Sequence, residues 1–409
     1  MQEALGEVRL TADDIRDNDS TESLPTPTKV LLIDFSGYGV MTHVLALLDQ
    51  ADHRRWDYTV LYATDDQRPG VDNYRAALAD RGVKSFSIPV RQSIKATDLA
   101  ALWSTVRFIK KHRPSLVHCH SSKAGAIGRV AARICGIPTL FSPHSFSFQL
   151  APQGSLKRKL LTRIERVLGK WTRGIAAVSE SEAALAVNER IVGLEDAHLI
   201  PNGVDLEACA RARDNREKTR SDMGIADNEP VVCFVGRLAK QKMPDIVVTA
   251  AGILSHGEQC PVFLMIGNGP LEAEIDAQIE VQGLENKVKR LGWRSHDETL
   301  AILASSDVMV LPSRYEGLPY VALEAQAVQT VPILTDVPGS RDAVIDGETG
   351  LLIPVDDPAA LAEAIRSLLN DKPLRDRLKQ DGLKYVSQRF SSRVMAQKIQ
   401  SLYKDTLGR

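Results

Sequence analysis

From Lys29 onward the chain alternates short apolar runs with amphipathic stretches. The runs Val30–Phe35, Tyr58–Tyr62, Ser85–Val90, Leu116–Cys119, Thr139–Ser142 and Ile175–Val178 have the length of strands. Between them, segments such as Leu99–Lys111 and Gly125–Cys135 carry apolar residues at helical spacing. Strand and helix taking turns predicts a parallel sheet with helices on both faces. The pattern stops near Asn202-Gly203-Val204-Asp205, and a polar stretch, Arg211–Asp222, follows. It restarts with Val231–Val235, Val262–Ile266, Val288–Leu291, Val308–Leu311, Val331–Leu334 and Leu351–Ile353. The expected fold class is therefore α/β, with two doubly wound, Rossmann-like parallel-sheet domains. They span residues 29–205 and 229–390 and are joined by a linker over 206–228. Ser392–Leu407 reads as a lone amphipathic helix with no strand after it. The segment 391–409 is expected to return to the N-terminal domain. Open parallel sheets bind ligands at the carboxyl ends of their strands, so two such edges facing across a cleft make one water-poor pocket.

Composition narrows the class. The 409 residues fit two domains of about 150 residues each, and 44% apolar with 25% charged residues is an ordinary globular balance. The net charge of −1 argues against a dedicated nucleic-acid binder. Five scattered cysteines (119, 135, 209, 233, 260) without a Cys-x-x-Cys pair read as reduced thiols of a cytosolic protein. No apolar run approaches the roughly 20 residues of a membrane span. Residues 1–28 are strongly acidic, lack the plan of a signal peptide, and end in Leu24-Pro25-Thr26-Pro27-Thr28. They read as a disordered tail, with regulatory docking as the alternative.

Candidate chemistry lies in the loops after strands. After Val308–Leu311 comes Pro312-Ser313-Arg314-Tyr315-Glu316-Gly317-Leu318-Pro319-Tyr320, then a helix carrying Glu324. Gly317 permits close approach, and Pro319 suits a first helical turn. The N–H groups of Gly317, Leu318 and Tyr320, with the helix dipole behind them, suit a phosphate. Glu316 and Glu324 suit the hydroxyls of a sugar and a ribose; the competing reading is two carboxylates stabilising a helix start. After Val231–Val235, Gly236-Arg237 and Lys242 offer a guanidinium fork and a point charge for a diphosphate, or else a solvated basic loop. Gly267-Asn268-Gly269 and Leu291-Gly292-Trp293 add two more glycine turns on the same sheet edge.

Together, Gly236-Arg237…Lys242, Gly267-Asn268-Gly269, Leu291-Gly292 and Glu316-x7-Glu324 resemble the donor half of GT-B glycosyltransferases, in particular the retaining family 4. The resemblance covers nearly all of residues 29–409. It implies that Arg237 and Lys242 hold a donor diphosphate and that Glu324 binds the ribose. It implies that Glu316 contacts the transferred sugar and that the amides of Gly317, Leu318 and Tyr320 cap the phosphates. Gly236, Gly267 and Gly292 would line the donor site. The usual Lys-Gly of the family stands here as Lys242-Met243.

In the N-terminal half, Gly37 and Gly39 are split by Tyr38 where family members often carry a Gly-Gly pair. Gly37 is carried over as a donor contact, against an ordinary strand-to-helix turn. His118 and His120 fall on one face of a strand, which invites a metal, yet spacing offers no further ligand; no metal is expected. The resemblance places His120 near the transferred sugar, ahead of His144 in His144-Ser145-Phe146, where family members often have His-Gly-Phe. In 155–173, seven Lys and Arg surround Leu156, Leu160, Leu161, Ile164, Val167, Leu168 and Trp171, with Glu165 the lone acid. This predicts a helix docking its apolar stripe on the core and showing its charge to solvent or to anionic lipid.

The expected activity is retaining transfer from a nucleotide-diphosphate sugar to a glycan or lipid-linked acceptor, for surface polysaccharide or glycolipid synthesis. His120, Glu316, Arg237 and Lys242 would carry it. No metal or other cofactor is required, and the expected location is the cytoplasm at the inner face of the membrane. A sugar-nucleotide 2-epimerase of the same fold and a non-catalytic sugar-nucleotide binder are the alternatives.

Overall fold

A computed structural model describes residues 26–35, 37–64, 70–90, 97–257 and 260–408. Most of the expected acidic tail lies outside the described residues. Its last member, Thr28, already opens the first strand.

Two all-parallel sheets form the frame. The first contains β1 (Thr28–Asp34), β2 (Trp56–Thr64), β3 (Lys84–Pro89), β4 (Leu116–His120), β5 (Thr139–Ser142), β6 (Gly174–Ala177) and β7 (Ala197–Leu199). Their order is β3-β2-β1-β4-β5-β6-β7. The second contains β8 (Val231–Val235), β9 (Val262–Ile266), β10 (Val288–Gly292), β11 (Val308–Leu311), β12 (Val331–Thr335) and β13 (Leu351–Ile353). Their order is β10-β9-β8-β11-β12-β13. Both sheets are doubly wound, as the alternation predicts. The one unforeseen strand, β7, has three half-buried residues, too few to leave an apolar run.

The order reverses between β1 and β4 in the first sheet, and between β8 and β11 in the second. Crevices at such switch points receive ligands. His120 closes β4 directly opposite Asp34 at the end of β1. Gly236 follows β8, and the Pro312–Pro319 loop follows β11. The fold thus delivers both groups of candidates to the two reversal points.

The expected linker is helical. Leu206–Asp214 and Arg216–Asp222 form two helices packed on the helix His296–Ser305. Its polar composition has a structural reason. The Arg216 guanidinium donates to the carbonyls of Ala304 and Ser306 and to Asp307, and Arg220 donates to the Ser305 carbonyl at 2.8 Å. These arginines satisfy the open carbonyl end of that helix. The last helix, Ser392–Leu407, lies on the N-terminal unit. Met395, Ile399 and Tyr403 share a core with Val44 and Leu47 of the helix Tyr38–Asp49.

The basic helix Leu156–Gly169 corrects the sequence expectation. Much of its apolar stripe faces outward: Leu156 is 83% exposed, Leu160 60%, Ile164 42%, Val167 43% and nearby Trp171 39%, while Leu161 packs against the core and Leu168 is buried. The inward face is Thr162, Glu165, Leu168 and Gly169. Glu165 meets the fully buried Arg129 at 2.7 Å, and this ion pair turns inward the face that Leu161 and Leu168 share. Gly169 allows the close approach, since a Cβ there would lie 2.0 Å from the Ile191 carbonyl oxygen.

Candidate functional site

The C-terminal side of the candidate site is built by four loops stitched together through their backbones. Gly236 N–H donates to Ile266 and Gly267 N–H to Gly292, while Leu238 N–H donates to Asn268. Gly267 has φ +124, and a Cβ there would sit 2.1 Å from the Gly236 carbonyl, so only glycine fits. Gly292 is also left-handed, at φ +68. The loop after β8 is tied in turn to the loop after β11. Arg314 N–H donates to the Gln241 carbonyl at 2.9 Å, and the Gln241 side chain donates to the Tyr315 carbonyl at 3.1 Å.

This stitching brings Lys242 onto Glu316, with Nζ to Oε1 at 2.6 Å and the carboxylate buried. The two residues lie 74 positions apart. Met243, at the family's glycine position, takes the left-handed backbone itself (φ 52, ψ 55) and buries its side chain. The loop therefore closes as a glycine would close it. Gly317 follows Glu316 directly, and the N–H groups of Gly317 and Leu318 donate to no group among the described residues. The helix starts at Tyr320 with Pro319 as its cap, one residue later than the proline pattern implied. The phenol of Tyr320 turns away to the junction between the units, where it lies 3.2 Å from His43 Nδ1.

Glu324 sits one turn into that helix, buried, and receives His296 Nε2 at 2.7 Å. Burial opposes the charged imidazolium, but the Glu324 carboxylate overcomes it and holds the His296 pKa above its ordinary value. Both residues line a hollow of about 610 Å³ between the two units. Its other walls are the helices Tyr38–Asp49 and Val71–Asp80, the Gly203–Asp205 segment and Trp293. A volume in this range suits a nucleotide-sized ligand.

The N-terminal side contributes histidines. His120 Nδ1 lies 3.2 Å from His144 Nε2, so the two candidates for the sugar contact are neighbours rather than rivals. His43 joins them, its ring centroid 5.3 Å from His120 and 4.7 Å from His144. Sequence reasoning passed over His43; its one signal was a histidine among the apolar residues Val40, Val44 and Leu47 of its helix. His118 takes no part. Its ring is held by the Tyr403 hydroxyl at 2.8 Å and by Ser142 Oγ at 3.0 Å, which ties the last helix to β4. Burial keeps all four imidazoles neutral by lowering their pKa, that of His43 to about 4 and that of His118 to about 3.

The two sides meet. A Cβ on Gly317 would lie 3.0 Å from Ser145 Oγ, so the loop bearing Glu316 packs on the loop bearing His144. His144 and Ser145 hold left-handed backbones (φ 48 and 84), with Ser145 standing where the family favours glycine. Such strain persists only when surroundings enforce it. Here the buried Glu182 accepts Ser145 N–H at 2.6 Å. Gly37 caps the helix Tyr38–Asp49 with an extended backbone, and nothing lies within 4 Å of a Cβ placed there. Neither its conformation nor its packing requires glycine.

Comparison with known proteins agrees with this architecture. Residues 215–385 match the family described as Glycosyl transferases group 1, and residues 38–208 match Glycosyltransferase Family 4. The chain is 31% identical over 332 residues to an Escherichia coli UDP-Gal:alpha-D-GlcNAc-diphosphoundecaprenol alpha-1,3-galactosyltransferase, covering 80% of this chain and 85% of that one. It is 27% identical over 325 residues to the capsular polysaccharide biosynthesis glycosyltransferase CapM of Staphylococcus aureus, covering 77% and 83%. Among solved structures, Anabaena HepE in complex with UDP and glucose superposes with a TM-score of 0.77 at 21% identity, over 92% of this chain and all of that one. Two doubly wound sheets, the Glu316-x7-Glu324 segment at the second switch point and these matches lead to one conclusion: the chain belongs to the group 1 glycosyltransferases of GT-B fold.

Proposed function

We propose that the chain transfers a hexose from a nucleoside-diphosphate sugar to a saccharide on a polyprenyl diphosphate, with retention at the anomeric carbon. The observation that carries this is the Lys242–Glu316 pair beside Gly317, whose loop packs on the loop of His144, itself 3.2 Å from His120. A departing diphosphate needs cations and oriented N–H dipoles, which Arg237, Lys242 and the Gly317–Leu318 turn supply. Glu324 and His296, on the wall of the hollow, offer an acceptor and a donor for ribose hydroxyls. Packing of the two loops excludes water from the transfer. The E. coli relative, by its name, uses UDP-galactose and a diphosphoundecaprenol-linked acceptor, which favours a donor and an acceptor of those classes here.

The test is a panel of nucleotide sugars, each assayed with and without a polyprenyl-diphosphate-GlcNAc acceptor. One donor should raise the melting temperature and give a retained glycoside only when acceptor is present. A bound donor stabilises the native state by mass action. Epimerised donor in the absence of acceptor would instead establish an isomerase. Donor protection without turnover would establish a binder.

The same reading puts the enzyme on the inner membrane face, through the helix Leu156–Gly169. No helix among the described residues is long and apolar enough to cross a membrane. The outward stripe of Leu156, Leu160, Ile164, Val167 and Trp171 lies beside a groove of about 1100 Å³ lined by Lys159, Arg163, Arg166, Lys170 and Arg190. Apolar residues flanked by cations suit an anionic bilayer surface, each cation contributing about 1 kcal/mol. The helix packs on the turn Ser147–Leu150, which follows His144 and Ser145, so a bound lipid acceptor would enter next to the histidines. In vesicle sedimentation, Leu160→Glu/Ile164→Glu should cut binding to phosphatidylcholine–phosphatidylglycerol vesicles by about tenfold or more. Transfer to a short-chain, water-soluble acceptor should be unchanged. Equal sedimentation of the double variant would remove this face from the proposal.

A further inference from the structure

We infer that His43, His120 and His144 form a three-histidine site for a divalent transition metal of the zinc class at the junction of the two units. Spacing concealed it, because the pair on one strand, His118 and His120, is not the pair that meets. One ring nitrogen from each of the three residues lies within 4.8 Å of the others. His120 Nδ1 and His144 Nε2 are already 3.2 Å apart, close to the roughly 3.3 Å edge of a tetrahedron with metal–nitrogen bonds of 2.0–2.1 Å.

The tautomer of His43 is fixed by its partners. Asn202 Nδ2 donates to the Leu318 carbonyl at 2.8 Å, which turns the Asn202 carbonyl oxygen toward His43. The Asn202 oxygen accepts the Nδ1 proton at 3.1 Å, with the Tyr320 hydroxyl beside the same nitrogen at 3.2 Å, and a neutral imidazole protonated there carries a bare lone pair at Nε2. That atom is buried and has no hydrogen-bond partner. An unpaired buried polar atom is costly, and one within a histidine cluster calls for a ligand. A metal-bound imidazole commonly donates its other N–H to an oxygen in this way, which fixes the ring and raises its basicity. Backbone strain at His144 and Ser145 brings the third ring to the cluster. Three protein ligands leave a fourth position for water or a hydroxyl.

Under the transfer reading above, His120 contacts the donor sugar, so a metal on it excludes the sugar. Zinc would then inhibit transfer and a chelator would restore it. The binding claim stands apart from that consequence. It is tested on the full chain, chelator-treated and without donor, by titration with Co²⁺ alone. One Co²⁺ per chain should bind with the visible absorption of tetrahedral coordination. His43→Gln and His120→Gln should abolish it, with circular dichroism reporting their folding. Asn202→Ala should keep the spectrum and weaken affinity by about 10–100-fold, as loss of an orienting partner does. X-ray absorption of the wild-type zinc complex should show three imidazoles, a measurement independent of any variant. No saturable binding, binding that survives the histidine substitutions, or fewer than three imidazoles would overturn the site. None of these results bears on transfer assayed in chelator.

Discussion

Lys242→Ala should lower kcat/KM for the nucleotide-sugar donor by about 10²–10³-fold, the loss that follows removal of one charge-stabilising donor in an enclosed site. Two effects combine. On the proposed reading the variant loses a cation that would hold the diphosphate, and it leaves the buried Glu316 carboxylate, formerly 2.6 Å from Nζ, without its partner. That carboxylate then repels the incoming phosphates. The signature is therefore non-additivity: Lys242→Ala/Glu316→Gln should be less impaired in donor binding than Lys242→Ala alone. Steady-state kinetics and donor-induced melting shifts on the four corners of this cycle measure it. Full activity in Lys242→Ala would mean that no diphosphate is held there, and the donor site would have to be placed elsewhere.

Arg129→Met should destabilise the N-terminal unit by about 3–5 kcal/mol, read as a shift in urea denaturation followed by tryptophan fluorescence. The guanidinium is fully buried. It donates to Glu165 at 2.7 Å and to the Gly125 carbonyl at 2.8 Å, and lies 3.8 Å from the centre of the Phe141 ring. Removing it leaves Glu165 charged and unpaired, 3% exposed. Arg129→Met/Glu165→Leu should recover most of the loss, since a buried pair exchanged for apolar residues is nearly neutral, while one partner alone is costly. Equal stability of the single variant and the parent would mean that the pair does not anchor the helix Leu156–Gly169.

This ion pair also shows why part of the site's surroundings escaped the sequence. A stripe of leucines beside cations states that a helix has two faces, and burial of apolar area then predicts which face is inside. In 155–173 that prediction holds for Leu161 and Leu168 alone, because one acid, Glu165, is bound by an arginine 36 positions earlier and turns the other apolar residues outward. The polar stretch read as a linker has the same form: Arg216 and Arg220 are spent on carbonyls 85–90 positions away, at the end of the helix His296–Ser305. A polar residue's partner is invisible when chain folding alone makes them neighbours.

The alternation of runs along the chain determined two doubly wound sheets, because each strand and helix advertises its period locally. It located the candidate glycine loops at the edge of the second sheet as well, since a strand end, a glycine and a helix start are consecutive in sequence. Lys242, Glu316, Gly317 and Glu324 were legible for that reason. Only the tertiary structure decided that Lys242 grips Glu316, that His296 meets Glu324, and that His43, His120 and His144 converge. Each of these joins elements that are remote along the chain, and the distance between remote residues is set by how whole sheets pack, a quantity no local pattern contains.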